Sequence, residues 1–412
     1  MRTTSTFMLV ALCASLSSAQ SVIWQRSSLV LGPNGTGNVD SGIWGRTAQK
    51  LLDVDGDGAD DLLISDGNAT VDGVTYSGFM AVLSGADGTA LDSLYGVSGT
   101  PIWRPGSWGT PGDMNGDGVG DYFATWADWF TLNVTLELRS GVTGAVLPFQ
   151  PIYLDKLTPL GDLDGDGVNE FSARVIGGFA VYSGPDGSDL RFTVSHPIYQ
   201  QLIGSAVTAI SDVTGDGVRD ILAGGPGLTC YPSYYYPGYV SLTGTAQVNS
   251  GADGSLVRVH PGAALCDTFG YSVAAFGDLD GDGVGDYGVT SSPWGNTTSG
   301  ATVFYSGSTG AQIGPSWWGP SGVTPNLANV GDVDGDAVDD WAYRGWNTSG
   351  DWVAIRSGRT NAILYEIPPT PGQPSTVIWV FGIAITGFGD FDADGFNEIG
   401  IGSQQWLFYA PG

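Results

Sequence analysis

The sequence predicts an all-β protein, a seven-bladed β-propeller of four-stranded blades, and three observations predict it. An acidic nonapeptide, "DVDGDGADD" in its first copy, occurs seven times, each time between apolar runs. A Ser-Gly turn follows each of the first six copies after 21 to 38 residues. The composition holds 66 Gly, too many for long helices, because each costs about 1 kcal/mol relative to Ala inside one. Its 14 Trp, 17 Tyr and 16 Phe are nevertheless ample for a large core. A Gly-rich turn between two short apolar runs reads as a hairpin. Two hairpins in about 50 residues give four strands, the unit of a propeller blade.

Residues 1–19, "MRTTSTFMLVALCASLSSA", read as a secretory signal peptide. Arg2 is the positive end, Phe7 to Leu16 the short apolar run, and Ser17 and Ala19 the small residues before a cleavage site at Gln20. Residues 20–412 are then expected to form one propeller domain of a secreted, extracellular protein. Next comes a surplus strand, "SVIWQRSSLVLG", from Ser21 to Gly32. The acidic copies start at Asp53, Asp113, Asp162, Asp212, Asp278, Asp332 and Asp390. The seventh ends at "WLFYAPG" without the last strand of its second hairpin. The surplus strand is expected to supply that fourth strand, which closes the ring and covers two sheet edges.

The nonapeptide needs a reason to collect like charge. Alternating Asp side chains on a tight turn point several oxygens at one centre, and calcium takes six to eight oxygens in irregular geometry. Magnesium, which keeps water and uses fewer protein ligands, fits less well. The expected ligands come from positions one, three, five and nine, with the carbonyl of position seven. In the first loop these are Asp53, Asp55, Asp57, Ala59 and Asp61, and in the second Asp113, Asn115, Asp117, Val119 and Asp121. The third loop has Asp162, Asp164, Asp166, Val168 and Glu170, and the fourth Asp212, Thr214, Asp216, Val218 and Asp220. The fifth has Asp278, Asp280, Asp282, Val284 and Asp286, and the sixth Asp332, Asp334, Asp336, Val338 and Asp340. The seventh has Asp390, Asp392, Asp394, Phe396 and Glu398. An EF-hand would require Glu at position twelve. That position holds Ile64, Ala124, Ala173, Ala223, Val289, Tyr343 and Ile401, none of which can ligate. Several calcium ions, up to seven and at least four, are expected, in a stabilising role.

The stretch "FGYSVAAFGDLDGDGVGDYGVTSSPWGNTTSGATVFYSG", Phe269 to Gly307, resembles the FG-GAP repeats of the integrin α-subunit propeller and related bacterial VCBS repeat proteins. "FGIAITGFGD" at Phe381 and "WGRTAQKLLD" at Trp44 carry the same opening. The resemblance covers the mature chain and implies calcium in the hairpin between the first two strands of a blade. It also implies a recognition or adhesion role. Asn115 and Thr214 lower the charge of the second and fourth loops, and Ala337 replaces a glycine in the sixth, which is expected to distort it.

Other function classes find little support in the residues. A net charge of −28 argues against nucleic acid and anionic membranes as partners. No apolar run is long enough for membrane insertion, and a monomer is expected. The two histidines, His196 and His260, lack an evident orienting partner, and no phosphate loop or nucleophile elbow is present. No catalytic residue is assigned; a polysaccharide lyase or hydrolase is the enzymatic alternative. Ligand contacts are expected from Tyr234, Tyr235 and Tyr236 in a long fourth-repeat loop and from Trp317 and Trp318, because aromatic rings in Pro/Gly-rich loops stack on sugars or anchor a protein partner. Trp44, Trp341 and Trp406, in strand-like contexts, are expected to pack between blades. Cys230 and Cys266, the two cysteines of the mature chain, suggest one disulfide.

Overall fold

The computed structural model describes residues 7–12, 20–26, 30–31, 37–38, 43–44, 47–51, 53–66, 79–95, 110–128, 133–149, 157–167, 169–175, 177–183, 189–195, 203–226, 243–263, 268–291, 300–319, 327–347, 350–367, 378–389 and 397–406. The chain opens with β1 (Phe7–Leu12), β2 (Gln20–Arg26), the short pair β3 (Val30–Leu31) and β4 (Gly37–Asn38), and β5 (Ile43–Trp44). Blade one follows as β6 (Thr47–Leu51), β7 (Asp61–Asp66), β8 (Phe79–Leu83) and β9 (Ala90–Tyr95). Blade two has β10 (Tyr122–Asp128), β11 (Asn133–Arg139) and β12 (Val146–Leu147), with a Gly112–Asp121 bridge where an inner strand would lie.

The next blades are four-stranded antiparallel meanders. Blade three is β13 (Leu157–Gly161), β14 (Glu170–Val175), β15 (Gly178–Ser183) and β16 (Asp189–Ser195). Blade four is β17 (Ala206–Ala209), β18 (Ile221–Gly225), β19 (Thr245–Asn249) and β20 (Leu256–Pro261). Blade five is β21 (Ser272–Ala275), β22 (Tyr287–Thr290), β23 (Ala301–Tyr305) and β24 (Gln312–Trp318). Blade six is β25 (Ala328–Gly331), β26 (Asp340–Asn347), β27 (Gly350–Arg356) and β28 (Ile363–Ile367). Last come β29 (Ile378–Gly389) and β30 (Glu398–Trp406).

Six blades are therefore present, not the seven predicted. Among the described residues the seventh repeat shows only its first hairpin, and β29 and β30 complete a sheet with strands from the other end of the chain, in the order β2-β1-β30-β29, with β5 also on β30. The strand placed directly on β30 is β1, which registers Met8 against Ile401. That differs from expectation: the surplus strand was to take this edge, and Phe7–Leu12 was assigned to the signal peptide. The predicted strand, as β2, lies one place further out. Among the described residues no helix is long and apolar enough to cross a membrane.

The core lies between blades. Each apolar cluster joins two neighbours: Leu63 and Val82 of blade one meet Tyr122 of blade two, and Phe123 and Leu138 of blade two meet Phe171 of blade three. Val181 and Phe179 meet Ile221 and Ala223 across the third and fourth blades, and Val248 meets Tyr287 across the fourth and fifth. Trp317 packs with Trp341 and Tyr343 between blades five and six. Val353 and Ile355 of blade six pack with Ile399 and Ile401 of β30, and β29 contacts β25 on one side and β6 on the other. Strands buried on both faces explain why middle strands such as β18 read as continuous apolar runs rather than alternating ones. This packing fixes each of the six described acidic loops at the same end of its blade, ahead of the second strand.

Candidate metal centres

The loop geometry is built from its first aspartate. Asp53 Oδ1 accepts the Gly56 amide at 2.6 Å and Oδ2 the Gly58 amide at 2.9 Å, which folds the chain back on itself. Asp113, Asp162, Asp212, Asp278 and Asp332 make the same two bonds within 2.6 to 2.9 Å. The fold-back requires a left-handed backbone at position six, and Gly58 has φ +94. Ala337 adopts the same region at φ +65 and still donates its amide to Asp332 Oδ2 at 2.7 Å. The expected distortion of the sixth loop is not seen; the side chain is accommodated at the cost of backbone strain. Ala337→Gly is accordingly expected to stabilise the protein by about 0.5–1 kcal/mol in urea unfolding, the relief exceeding the added freedom of the unfolded chain.

With the turn fixed, carboxylates converge. Oxygens of Asp53, Asp55 and Asp57 lie within 4.8 Å of one another, as do those of Asp278, Asp280 and Asp282, of Asp332, Asp334 and Asp336, and of Asp162, Asp164 and Glu170. Two oxygens on one calcium ion at 2.3–2.6 Å can be at most about 5 Å apart, so by spacing each of the four sets fits a single ion. The second and fourth loops keep the same fold with Asn115 and Thr214 at position three: Asn115 Oδ1 accepts the Asp117 amide, and Thr214 Oγ1 donates to Asp212. The amides of Ala59, Val119, Val218, Val284 and Val338 donate to the fifth-position aspartate of their own loop at 2.9–3.0 Å. Val168, and the seventh-loop residues Asp390, Asp392, Asp394 and Phe396, lie outside the described residues, as does the side chain of Glu398.

The ninth acid has a function that the spacing did not reveal. Asp61, Asp121, Asp220, Asp286 and Asp340 are fully buried. One oxygen of each accepts the position-two amide: Val54 to Asp61, Met114 to Asp121, Val213 to Asp220, Leu279 to Asp286 and Val333 to Asp340, at 2.6–2.9 Å. The other accepts the glycine amide of the Ser-Gly turn: Gly85, Gly141, Gly251, Gly307 and Gly358, at 2.8–3.2 Å. The ninth acid thus clamps the first hairpin of a blade to the second. The serine of the turn adds a bond to the fifth aspartate, as Ser306 does to Asp282 at 3.1 Å. The Ser-Gly marker was legible in the sequence, but only as a turn.

Position eight ties one blade to the next. Asn169 donates to the Asp113 carbonyl, the Arg219 amide to the Leu163 carbonyl at 2.9 Å, and Gly277 donates its amide to Asp339 at 2.6 Å. No sequence signal marked this role, because Asn, Arg and Asp fill it by different chemistry.

Burial, opposed by the amide bonds, pushes the Asp61, Asp121 and Asp286 carboxyls up to about 6 and Asp340 up to about 7, and the neighbouring loop carboxylates push the same way. Asp334 is raised by burial and by Asp336 and Asp332. A divalent ion among these loop carboxylates would offset their mutual repulsion.

The other candidates divide. Trp317, expected as a ligand contact, is 9% exposed and packs 4.3 Å from Tyr343, with the Arg356 guanidinium over its ring, so its ring is buried between blades rather than presented on a loop. Trp318, next to it on β24, is 59% exposed. Trp341 is buried, as its strand context predicted. Tyr234, Tyr235, Tyr236, Cys230 and Cys266 lie outside the described residues. His260 is buried, shares a hydrogen bond with the Tyr287 hydroxyl at 2.9 Å and stacks on Tyr305. Burial, with Arg258 nearby, pushes it down to about 4, so it is neutral and locked between blades four and five.

No family model matches the chain. It is similar to integrin alpha-V of Gallus gallus, 26% identical over 290 residues, which cover 66% of this chain and 27% of that protein. The chain therefore spans about a quarter of the length of the curated relative it matches.

Proposed function

We propose that the chain is a secreted, FG-GAP-type calcium-binding propeller that serves as an extracellular recognition or adhesion module. Calcium is structural: it neutralises each loop and stiffens the hairpin from which a blade is built. The observation that carries this is the convergence of three aspartates in each of the first, fifth and sixth loops. The proposed ligands are the carboxylates of positions one, three and five with the position-seven carbonyl, and the ninth acid holds the loop in place. Similarity to an integrin α chain supports an extracellular ligand, protein or glycan, over an intracellular role. Trp318 is an exposed aromatic available to meet it.

Calorimetric titration of the chelator-treated protein with calcium tests the metal, with at least four equivalents expected. Absence of any calcium heat would remove the proposal. Glycan-array and pull-down screens, run with calcium and with EGTA, test recognition; a partner retained only with calcium is the expected outcome. Export is proposed to release the chain at Gln20, which would remove β1 and leave the edge of β30 to β2. Amino-terminal sequencing of the exported protein checks this, and a start at Met1 counts against it.

A further inference from the structure

The third acidic loop differs chemically from the rest, and the reason is a residue far along the blade. In β16 the pairing slips between Val181 and Tyr182, whose partners are Phe192 and Leu190, so Arg191 is the bulged residue. The bulged residue of the outer strand is Leu91 in blade one, Val257 in blade four and Leu364 in blade six. A bulge re-aims the side chain it carries. Here it sends a guanidinium into the loop: Arg191 Nη2 is 2.7 Å from Asp164 Oδ2, and Nη1 is 2.9 Å from Glu170 Oε1. Arg191 is 18% exposed, and Glu170 is fully buried.

Glu170 is matched to this arrangement. The aspartates at position nine of the other described loops place both oxygens on backbone amides. Glu170, one methylene longer, gives Oε2 to the Leu163 amide at 2.8 Å and turns Oε1 to Arg191. The guanidinium therefore lies on two of the three acids of the third cluster. Its charge is permanent and its planar fork bridges two carboxylates at once. A divalent ion in the same place would meet that charge at close range. The sixth loop is not closed in this way, because Arg359 reaches only Asp336 and is 56% exposed.

We infer that the third loop is held together by Arg191 in place of a divalent cation, and is the calcium-independent loop of the set. This rests on the proposal that the other loops bind calcium. Equilibrium dialysis of the exported protein with calcium counts bound ions for the wild type and for Asp278→Asn, Asp162→Asn and Arg191→Met, each checked for folding by circular dichroism. Asp278→Asn is expected to lose one calcium per molecule, Asp162→Asn none, and Arg191→Met to gain one. Loss of one ion in Asp162→Asn overturns the inference and leaves the proposed function standing. A folded Arg191→Met protein with no added ion also overturns it. A wild type that binds no calcium removes the proposed function and the inference together. Should Arg191→Met not fold, the paired Asp162→Asn and Asp278→Asn counts decide.

Discussion

Saturating calcium is expected to raise the melting temperature by roughly 10 °C over the same protein in excess EGTA. A ligand at a hundredfold excess over its Kd stabilises the folded state by about 2.7 kcal/mol per site. Four such sites on a chain whose unfolding entropy is roughly 0.8 kcal/mol/K give a shift of that size. The sites act together because five of the loops are bonded to their own second hairpin, and the third, fourth and sixth are bonded through position eight to the preceding blade. Asp280→Ala should remove a share of this rise while leaving the melting temperature in EGTA nearly unchanged, since the bonds of the Asp280 side chain, such as the one from the Asp282 amide at 3.1 Å, stay within its own exposed loop. Coincident melting curves with calcium and with chelator would refute the structural role of the ion.

Asp286→Ala is expected to destabilise the protein by about 3–5 kcal/mol, in calcium and in EGTA alike. The carboxylate accepts the amides of Leu279 at 2.7 Å, Asp280 at 3.3 Å and Gly307 at 2.8 Å. Removing it leaves buried donors without acceptors, at about 1–3 kcal/mol each. The effect should not depend on metal, because the lost bonds join two hairpins of the protein. Denaturant unfolding of Asp286→Ala and Asp280→Ala in both conditions separates the clamp from the ligands. A metal-dependent loss in Asp286→Ala would instead make the ninth acid chiefly a ligand.

Much of the fold was legible because it is local. Asp and Gly at fixed spacing specify the loop, and apolar runs on either side specify its two strands. The Ser-Gly turn specifies the second pair. Seven copies of the acidic loop, six of them followed by that turn, imply a ring. The blade count was not legible, because the strands that join β29 and β30 are chosen by tertiary pairing and do not reproduce the four-stranded unit. Which N-terminal run takes the edge of β30 depends on competition between Phe7–Leu12 and Gln20–Arg26, both of which have strand character. Trp317 and Trp318 are adjacent and chemically alike; strand alternation buries one and exposes the other, and only the register of β24 decides which.

The sequence by itself determined the acidic turns and their donor chemistry, since both depend on residues within ten positions of one another, and the repeated four-strand unit, since a Ser-Gly turn recurs 21 to 38 residues after the start of each of the first six acidic copies. Only the tertiary structure decided that the ninth acid grips the Ser-Gly turn, that position eight reaches the neighbouring blade, and that Arg191 enters the third loop. Those contacts join residues about 20 to 60 positions apart in different strands. Their partners are chosen by sheet register and blade packing, which no local pattern encodes.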